Sequence, residues 1–329
     1  MSALVEAVDL KVHFPTAGGS ETVKAVDGVS FALRPGETFG VIGESGSGKS
    51  TLGRAVVCLL RPTAGTLKLD SADPYALGAR DFRRKRRDFQ IVFQDPNAAL
   101  NPRMRIRDSV REPLDILGEG SRSERNDRAL AVLERVGLGR EFGERYPHEL
   151  SGGQKQRVNI ARILTLRPKL VVCDEVVAAL DVSIQADMLN LFADLQREFG
   201  LAYLFITHDL GVVSHISDRV AVMYLGKFVE LGAADDIAER PLHPYTEALL
   251  SAEPVPLPAA LRKSERIVLE GEIPSPISPP SGCRFRTRCR FAQDICQKEE
   301  PAWREPEPGR YVACHFAGEV TQQAGRTRT

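Results

Sequence analysis

TFGVIGESGSGKS, residues Thr38–Ser50, joins a short apolar run to a glycine-rich loop that ends in Lys-Ser. The run Thr38–Ile42 reads as a buried strand feeding a helix, and Gly43–Ser50 fits the pattern G-x-x-x-x-G-K-[ST]. Such a loop needs glycine because backbone N–H groups must turn inward around phosphate oxygens, where a β-carbon would crowd several of the turns. A helix opening at Lys49 would aim its positive end at the same anion. Lys49 is then expected to reach the β- and γ-phosphates of a nucleotide, and the Ser50 hydroxyl to hold Mg2+. Further along, the apolar runs Lys169–Cys173 and Leu201–Thr207 flank the helical stretch Ile184–Phe199. Strand–helix–strand alternation of this kind implies a parallel sheet with helices on its faces, hence an α/β fold.

The remaining segments arrange themselves around that core. Ala3–Phe14 and Val23–Leu33 alternate as strands, Ser50–Leu60 has helical spacing and stops before Pro62, and Gln90–Phe93 is another short strand. From about Pro96 to Arg167 the pattern is mostly helical, with Arg125–Val136 the clearest amphipathic stretch. Val220–Tyr224 and Lys227–Leu231 read as a hairpin around Gly226. After Arg240 the character changes, with proline-rich sequence around Pro254–Pro258 and Pro274–Pro280, a cysteine cluster, and a polar tail Gly318–Thr329 expected to be disordered.

Basic and acidic residues are equal at 44 each, so no global basic field exists for a nucleic acid, and none is expected as a partner. Arg80–Arg87 packs six basic residues into eight positions and is expected to be a solvated helix face. No apolar run is long enough to span a bilayer. Met1–Leu10 lacks the apolar core of a secretion signal, which suggests a cytosolic chain. Of six cysteines, Cys58 and Cys173 stand singly in apolar runs as expected buried hydrophobes.

Two further motifs lie in order behind the phosphate loop. Leu150–Arg157 reads LSGGQKQR, and Lys169–Glu175, KLVVCDE, places two carboxylates where a buried strand ends. Ser151 with Gln154 has the form of a helix start, yet two successive glycines would weaken that start by about 1 kcal/mol each relative to alanine. They make better sense where an anion must approach the backbone closely.

The three motifs together resemble ATP-binding cassette ATPases, in which two subunits close face to face over ATP. The resemblance implies a P-loop cassette with a mixed or parallel sheet core, an N-terminal antiparallel β subdomain, a helical signature subdomain at about 95–167, and a cassette spanning 1–240. It implies that Gly43, Glu44, Ser45, Gly46, Ser47, Gly48, Lys49, Ser50 and Thr51 bind ATP. Mg2+ would be held by Ser50, Gln94 and Asp174. Glu175 would polarise the attacking water, Gln94 would serve as the Q-loop glutamine, and His208 as the switch histidine. Phe14 would stack on adenine, with His13 adjacent. Ser151, Gly152, Gly153 and Gln154 would meet the γ-phosphate held by the opposite subunit, and Asp181 would lie in the D-loop. Ala178 stands where the family often has serine, which implies altered coupling at most; the site is expected to be active.

Cys283, Cys289, Cys296 and Cys314 are separated by gaps of five, six and seventeen residues, without the paired C-x2-C knuckles of common zinc sites. Four thiolates can hold an iron–sulfur cluster. Zinc and free thiols stay open as alternatives. FQDPNAALNPR (Phe93–Arg103), YPHELSGGQ (Tyr146–Gln154), LHPYTEALL (Leu242–Leu250) and GCRFRTRC (Gly282–Cys289) resemble oligopeptide and dipeptide importer ATPases, some of which carry a [4Fe-4S] cluster on such cysteines. Arg290 replaces a proline common there. On that resemblance, 241–317 is the importer-type C-terminal region, a small irregular Cys-rich appendage. The chain would energise peptide import with a second ATPase subunit, two integral-membrane permeases and, indirectly, a solute-binding protein, at the cytoplasmic face of the inner membrane. The rival reading is a soluble cassette ATPase of an enzyme complex, such as phosphonate-degrading machinery.

Overall fold

The computed structural model describes residues 2–16, 18–178, 181–252 and 267–318. Pro254–Pro258, Ala179, Leu180 and the tail beyond Gly318 lie outside the described residues. Along the chain run β1 (Val5–Pro15), β2 (Thr22–Leu33), β3 (Thr38–Ile42), α1 (Lys49–Val56), β4 (Ala64–Leu69), α2 (Ala79–Asp88), β5 (Phe89–Val92), α3 (Ile106–Leu117), α4 (Arg122–Arg135) and α5 (Gly152–Leu164). They are followed by β6 (Leu170–Asp174), α6 (Val182–Phe199), β7 (Ala202–Ile206), α7 (Leu210–Ile216), β8 (Arg219–Tyr224), β9 (Lys227–Ala233), α8 (Ala234–Glu239), α9 (Pro244–Ala252), α10 (Asp294–Lys298), β10 (Arg304–Glu307) and β11 (Arg310–Val312). The chain forms two compact units, one of Met1–Leu33, Thr38–Ala72 and Phe205–Thr329, the other of Arg34–Glu37 and Asp73–Leu204.

The first unit contains an antiparallel sheet ordered β2-β1-β4 and a mixed sheet segment ordered β10-β11-β9-β8-β3. Every residue of β3 is buried, as its apolar run Phe39–Ile42 requires, and it pairs in parallel with β8 from Phe39↔Arg219 to Ile42↔Val222. β8 turns back on β9 through Leu225 and Gly226, both at positive φ (43° and 80°), the two-residue hairpin geometry that suits strand twist. Phe31 stacks on Phe39 at 5.2 Å, joining the two sheets of this unit through its core.

Sequence and structure differ here in three places. α1 stops at Val56, not Leu60, because Cys58 turns to φ 58° and the N–H groups of Leu59 and Leu60 fold back onto Arg54 O. That turn leaves Cys58 partly exposed, while Cys173 is fully buried as expected. β4, β10 and β11 are strands that the sequence pattern does not announce.

The second unit pairs β5 with β6 in parallel, Phe89↔Leu170 to Val92↔Cys173, and Ala202 N at the start of β7 donates to Lys169 O (2.9 Å). Its helical part comprises α3, α4 and α5, with α4 closed at its start by a Ser121/Glu124 capping box. α2 carries the basic run and buries none of its residues, which agrees with a solvated face.

Candidate active site

In the first unit β3 runs directly into the phosphate loop. Gly43 (φ 153°) and Gly48 (φ 108°) are required on steric grounds: a β-carbon would lie 2.1 Å from Met223 O at the first and 2.0 Å from Ala25 O at the second. Both obstacles are backbone, so neither can yield. The loop is anchored from below, since Gly226 N donates to Ser47 O (2.8 Å) and Ser47 N to Glu44 O (3.2 Å). Lys49 is buried, its ammonium donating to Gly43 O (2.7 Å) and Glu44 O (3.0 Å). Ser45 and Gly46 are exposed, and Ser50 and Thr51 are partly exposed on the first turn of α1. The N-cap Gly48 offers that helix no side-chain cap, which leaves its leading N–H groups suited to an anion. The Ser47 hydroxyl is buried without a hydrogen-bond partner among the described residues, as a ligand-binding loop would have it.

Thr207 N donates to Val41 O (3.2 Å), so β7 delivers an exposed His208 beside the strand that feeds the loop. Asp209 is drawn away into capping α7, accepting from Val212 N (3.0 Å). Phe14 has an exposed ring at the end of β1, whereas the neighbouring His13 Nε2 lies 2.8 Å from Asp27 Oδ1.

In the second unit β6 ends in Asp174, which is buried, and Glu175, which is partly exposed at φ 52°. Left-handed backbone at a non-glycine residue costs about 1–3 kcal/mol and persists only where its surroundings hold it. Gln94 Nε2 donates to Glu175 Oε2 (2.8 Å), bringing two of the expected residues together. The loop after Gln94 is fastened to α5: Lys155 Nζ donates to Asn97 Oδ1 (2.8 Å), Asn159 Nδ2 to Pro96 O (3.2 Å) and Arg162 Nη1 to Ala99 O (2.7 Å). α5 itself starts with the capping box, Ser151 N donating to Gln154 Oε1 (3.0 Å) and Gln154 N to Ser151 Oγ (3.3 Å). The two glycines differ. A β-carbon at Gly153 would press on Ile184 at 3.0 Å, but one at Gly152 would meet no described atom within 4 Å beyond its chain neighbours and the backbone of its own helix. Asp181 is exposed and makes no side-chain cap to α6, whose N-cap it occupies.

The appendage belongs to the first unit. Cys283, Cys289, Cys296 and Cys314 are unbridged and line one small cavity with Phe285 and Phe291. Burial pushes Cys283 up to about 11 and Cys314 up to about 12, and raises Cys289. Four soft donors around one cavity suit a soft metal in kind and location. Among the described residues, however, no group of three or more His, Cys, Asp or Glu is disposed to hold a metal ion. Residues that the motifs do not announce also reach the phosphate loop: Arg288 pairs with the Glu44 carboxylate and Tyr245 with its N–H. The alternation of arginine with cysteine in GCRFRTRC was the available signal.

The chain matches known protein families and structures. The family model described as ABC transporter matches residues 26–178, and that described as Oligopeptide/dipeptide transporter, C-terminal region, matches 229–296. The chain is 51% identical over 95% of its length to the oligopeptide transport ATP-binding protein AppF of Bacillus subtilis, covering 97% of that protein. It is 52% identical over 91% of its length to OppF of Salmonella typhimurium, also an oligopeptide transport ATP-binding protein, covering 92% of it. Among solved structures, cbiO1 of Clostridium perfringens, part of the ABC transporter complex cbiONQ, superposes with a TM-score of 0.65 at 27% identity, over 73% of this chain and 93% of that one. The cassette MJ0796, a dimer in a post-hydrolysis state with ADP and Pi, gives 0.63 at 30% identity over 70% and 98%.

Proposed function

This chain belongs to the ATP-binding subunits of ABC transporters, in the group that carries the oligopeptide/dipeptide transporter C-terminal region, and we propose how its residues divide the work of ATP-driven peptide import. Gly43–Thr51 holds the polyphosphate, with Lys49 on the β- and γ-phosphates. Ser50, Asp174 and Gln94 serve Mg2+, and Phe14 stacks on adenine. Glu175 polarises the attacking water, and His208 hydrogen-bonds the γ-phosphate and orients Glu175. Ser151, Gly152, Gly153, Gln154 and Asp181 serve the nucleotide of a facing subunit.

Gly152 is the observation that carries the two-subunit reading. It is exposed at the first turn of α5, where alanine would stabilise the helix by about 1 kcal/mol, and nothing described in its own chain needs the missing β-carbon. A phosphate arriving from outside the chain would need it. Nucleotide then drives transport because only the closed pair makes those contacts, so ATP favours closure and hydrolysis releases it.

The partners on this reading are a second ATPase subunit, two membrane permeases and, through them, a solute-binding protein. Among the described residues no helix is long and apolar enough to cross a membrane, and attachment at the cytoplasmic face would run through the permeases. The match over 229–296 favours an importer over an ATPase serving a soluble enzyme complex. Replacing Glu175 by Gln in the assembled transporter is expected to preserve ATP binding, trap the closed pair, and slow hydrolysis on the order of 100-fold or more. Normal turnover would remove Glu175 from its role; a chain that never pairs in ATP would remove the facing-subunit reading.

We further propose that Cys283, Cys289, Cys296 and Cys314 hold a [4Fe-4S] cluster, a reading supported by their soft donor set around one cavity and requiring the thiols to turn closer together, since as placed they are not disposed to hold a metal ion. When bound, the cluster would supply a redox-active cross-link to a small, irregular segment. Iron, zinc and sulfide analysis of anaerobically purified chain is expected to find about four irons per chain. Zinc alone or metal-free protein would overturn it.

A further inference from the structure

The appendage grips the phosphate loop at one residue, Glu44. Its carboxylate receives both prongs of Arg288, Nη1 to Oε2 at 2.6 Å and Nη2 to Oε1 at 3.0 Å, with the arginine side chain only 7% exposed. Its backbone N–H donates to the Tyr245 hydroxyl at 2.8 Å. Tyr245 is itself buried and packs against Tyr224 (4.7 Å) and Phe285 (5.3 Å). Phe285 lies between the two arginines in sequence. Arg284 donates to Leu225 O and pairs with Asp27, so the cysteine-bearing segment is fixed on both sides of the ring.

A carboxylate in a loop built to bind polyphosphate opposes that task, because like charges a few ångströms apart repel strongly where solvent screening is poor. Arg288 removes the conflict: a two-pronged guanidinium pair neutralises the carboxylate and fixes its direction. The hydrogen bonds to Glu44 hold the guanidinium above its ordinary range, and burial pushes the Tyr245 phenol up, so the first stays charged and the second stays a neutral hydroxyl.

We infer that Arg288 and Tyr245 are positioning residues for nucleotide binding: by masking the Glu44 carboxylate and occupying its N–H, the C-terminal appendage sets the affinity of the phosphate loop for polyphosphate. The inference rests on the nucleotide reading above. It gives the appendage a task at the ATP site that is independent of any metal on its cysteines.

The test is titration of the full-length chain with ATP and ADP. R288M exposes the carboxylate and is expected to weaken ATP binding about ten-fold, and ADP binding less, since the penalty follows ligand charge. E44Q removes the charge that Arg288 masks, so E44Q/R288M should bind ATP within about two-fold of E44Q. That comparison leaves no unpaired carboxylate, and where R288M fails to fold the Y245F measurement carries the test. Y245F in the assembled transporter should raise KM for ATP with kcat little changed. ATP binding by R288M equal to native, a loss that E44Q does not relieve, or a Y245F effect on kcat alone would overturn the inference. A native chain that binds no ATP would overturn the nucleotide reading as well, which separates the two failures.

Discussion

His243 stands fully buried, its Nδ1 accepting from Tyr245 N (3.0 Å) and its ring against Phe285 (5.6 Å). Burial alone drives its imidazole down to about 3 from an ordinary 6.5, so the folded chain keeps it neutral throughout the physiological range. The unfolded chain takes up this proton near pH 6.5, the folded chain only near pH 3. Between those values the unfolded state binds more protons, and stability falls as pH falls. The contribution is complete above pH 6.5 and shrinks through the window; between pH 7 and pH 5 it should amount to about 2 kcal/mol. Urea unfolding of native chain and H243Q at both pH values measures it. The variant should show the shallower slope, and equal slopes would assign the acid sensitivity elsewhere. Because His243 orients the backbone of Tyr245, this residue also bears on the hydroxyl that receives the Glu44 N–H.

Elements whose stability is local were legible in the sequence. β3, β6 and β7 are runs of five buried residues each, and such runs identify themselves through mainly apolar composition, broken in β6 only by the terminal Asp174 and in β3 by the leading Thr38. The Ser151 capping box and the β8–β9 turn were equally plain, since each is made by residues adjacent in sequence. The phosphate loop was plain from its glycine spacing, although the carbonyls that demand those glycines, on Met223 and Ala25, lie far along the chain. β10 and β11 were not, being four and three residues long. They exist because Tyr311 and Val312 pair with Leu231 and Glu230, and because Arg310 is buried within 3.6 Å of the Glu230 carboxylate. No periodicity reports a pairing at that distance along the chain. The candidate site divides the same way. Motif positions Lys49, Asp174, Glu175 and Ser151 were readable, whereas Arg288 reaches Glu44 across 244 residues and Tyr245 across 201. α1 shows the opposite error: helical spacing continues past Val56, but a left-handed Cys58 ends the helix early.

At the scale of the whole molecule, the question is which features answer to the chain itself and which to another chain. Gly43 and Gly48 are explained internally, by the carbonyls of Met223 and Ala25, and Gly153 by Ile184. Gly152 has no internal explanation among the described residues, and it weakens the start of the helix that holds the Gln94 loop through Lys155, Asn159 and Arg162. Gly152→Ala therefore separates two expectations that usually move together. Thermal unfolding of the isolated chain should shift upward, reflecting a gain of up to about 1 kcal/mol from the better helix former. ATP binding by the isolated chain should stay native, since Lys49 and the phosphate loop are untouched. Hydrolysis by the assembled transporter should nonetheless fall about ten-fold or more, because a new methyl would hold a facing γ-phosphate away from the amides at the head of α5. A more stable chain with normal ATP affinity and depressed paired turnover is the signature of a residue kept for its partner. Full turnover in Gly152→Ala transporter would show that no phosphate approaches this backbone, and the facing-subunit reading would lose its main support.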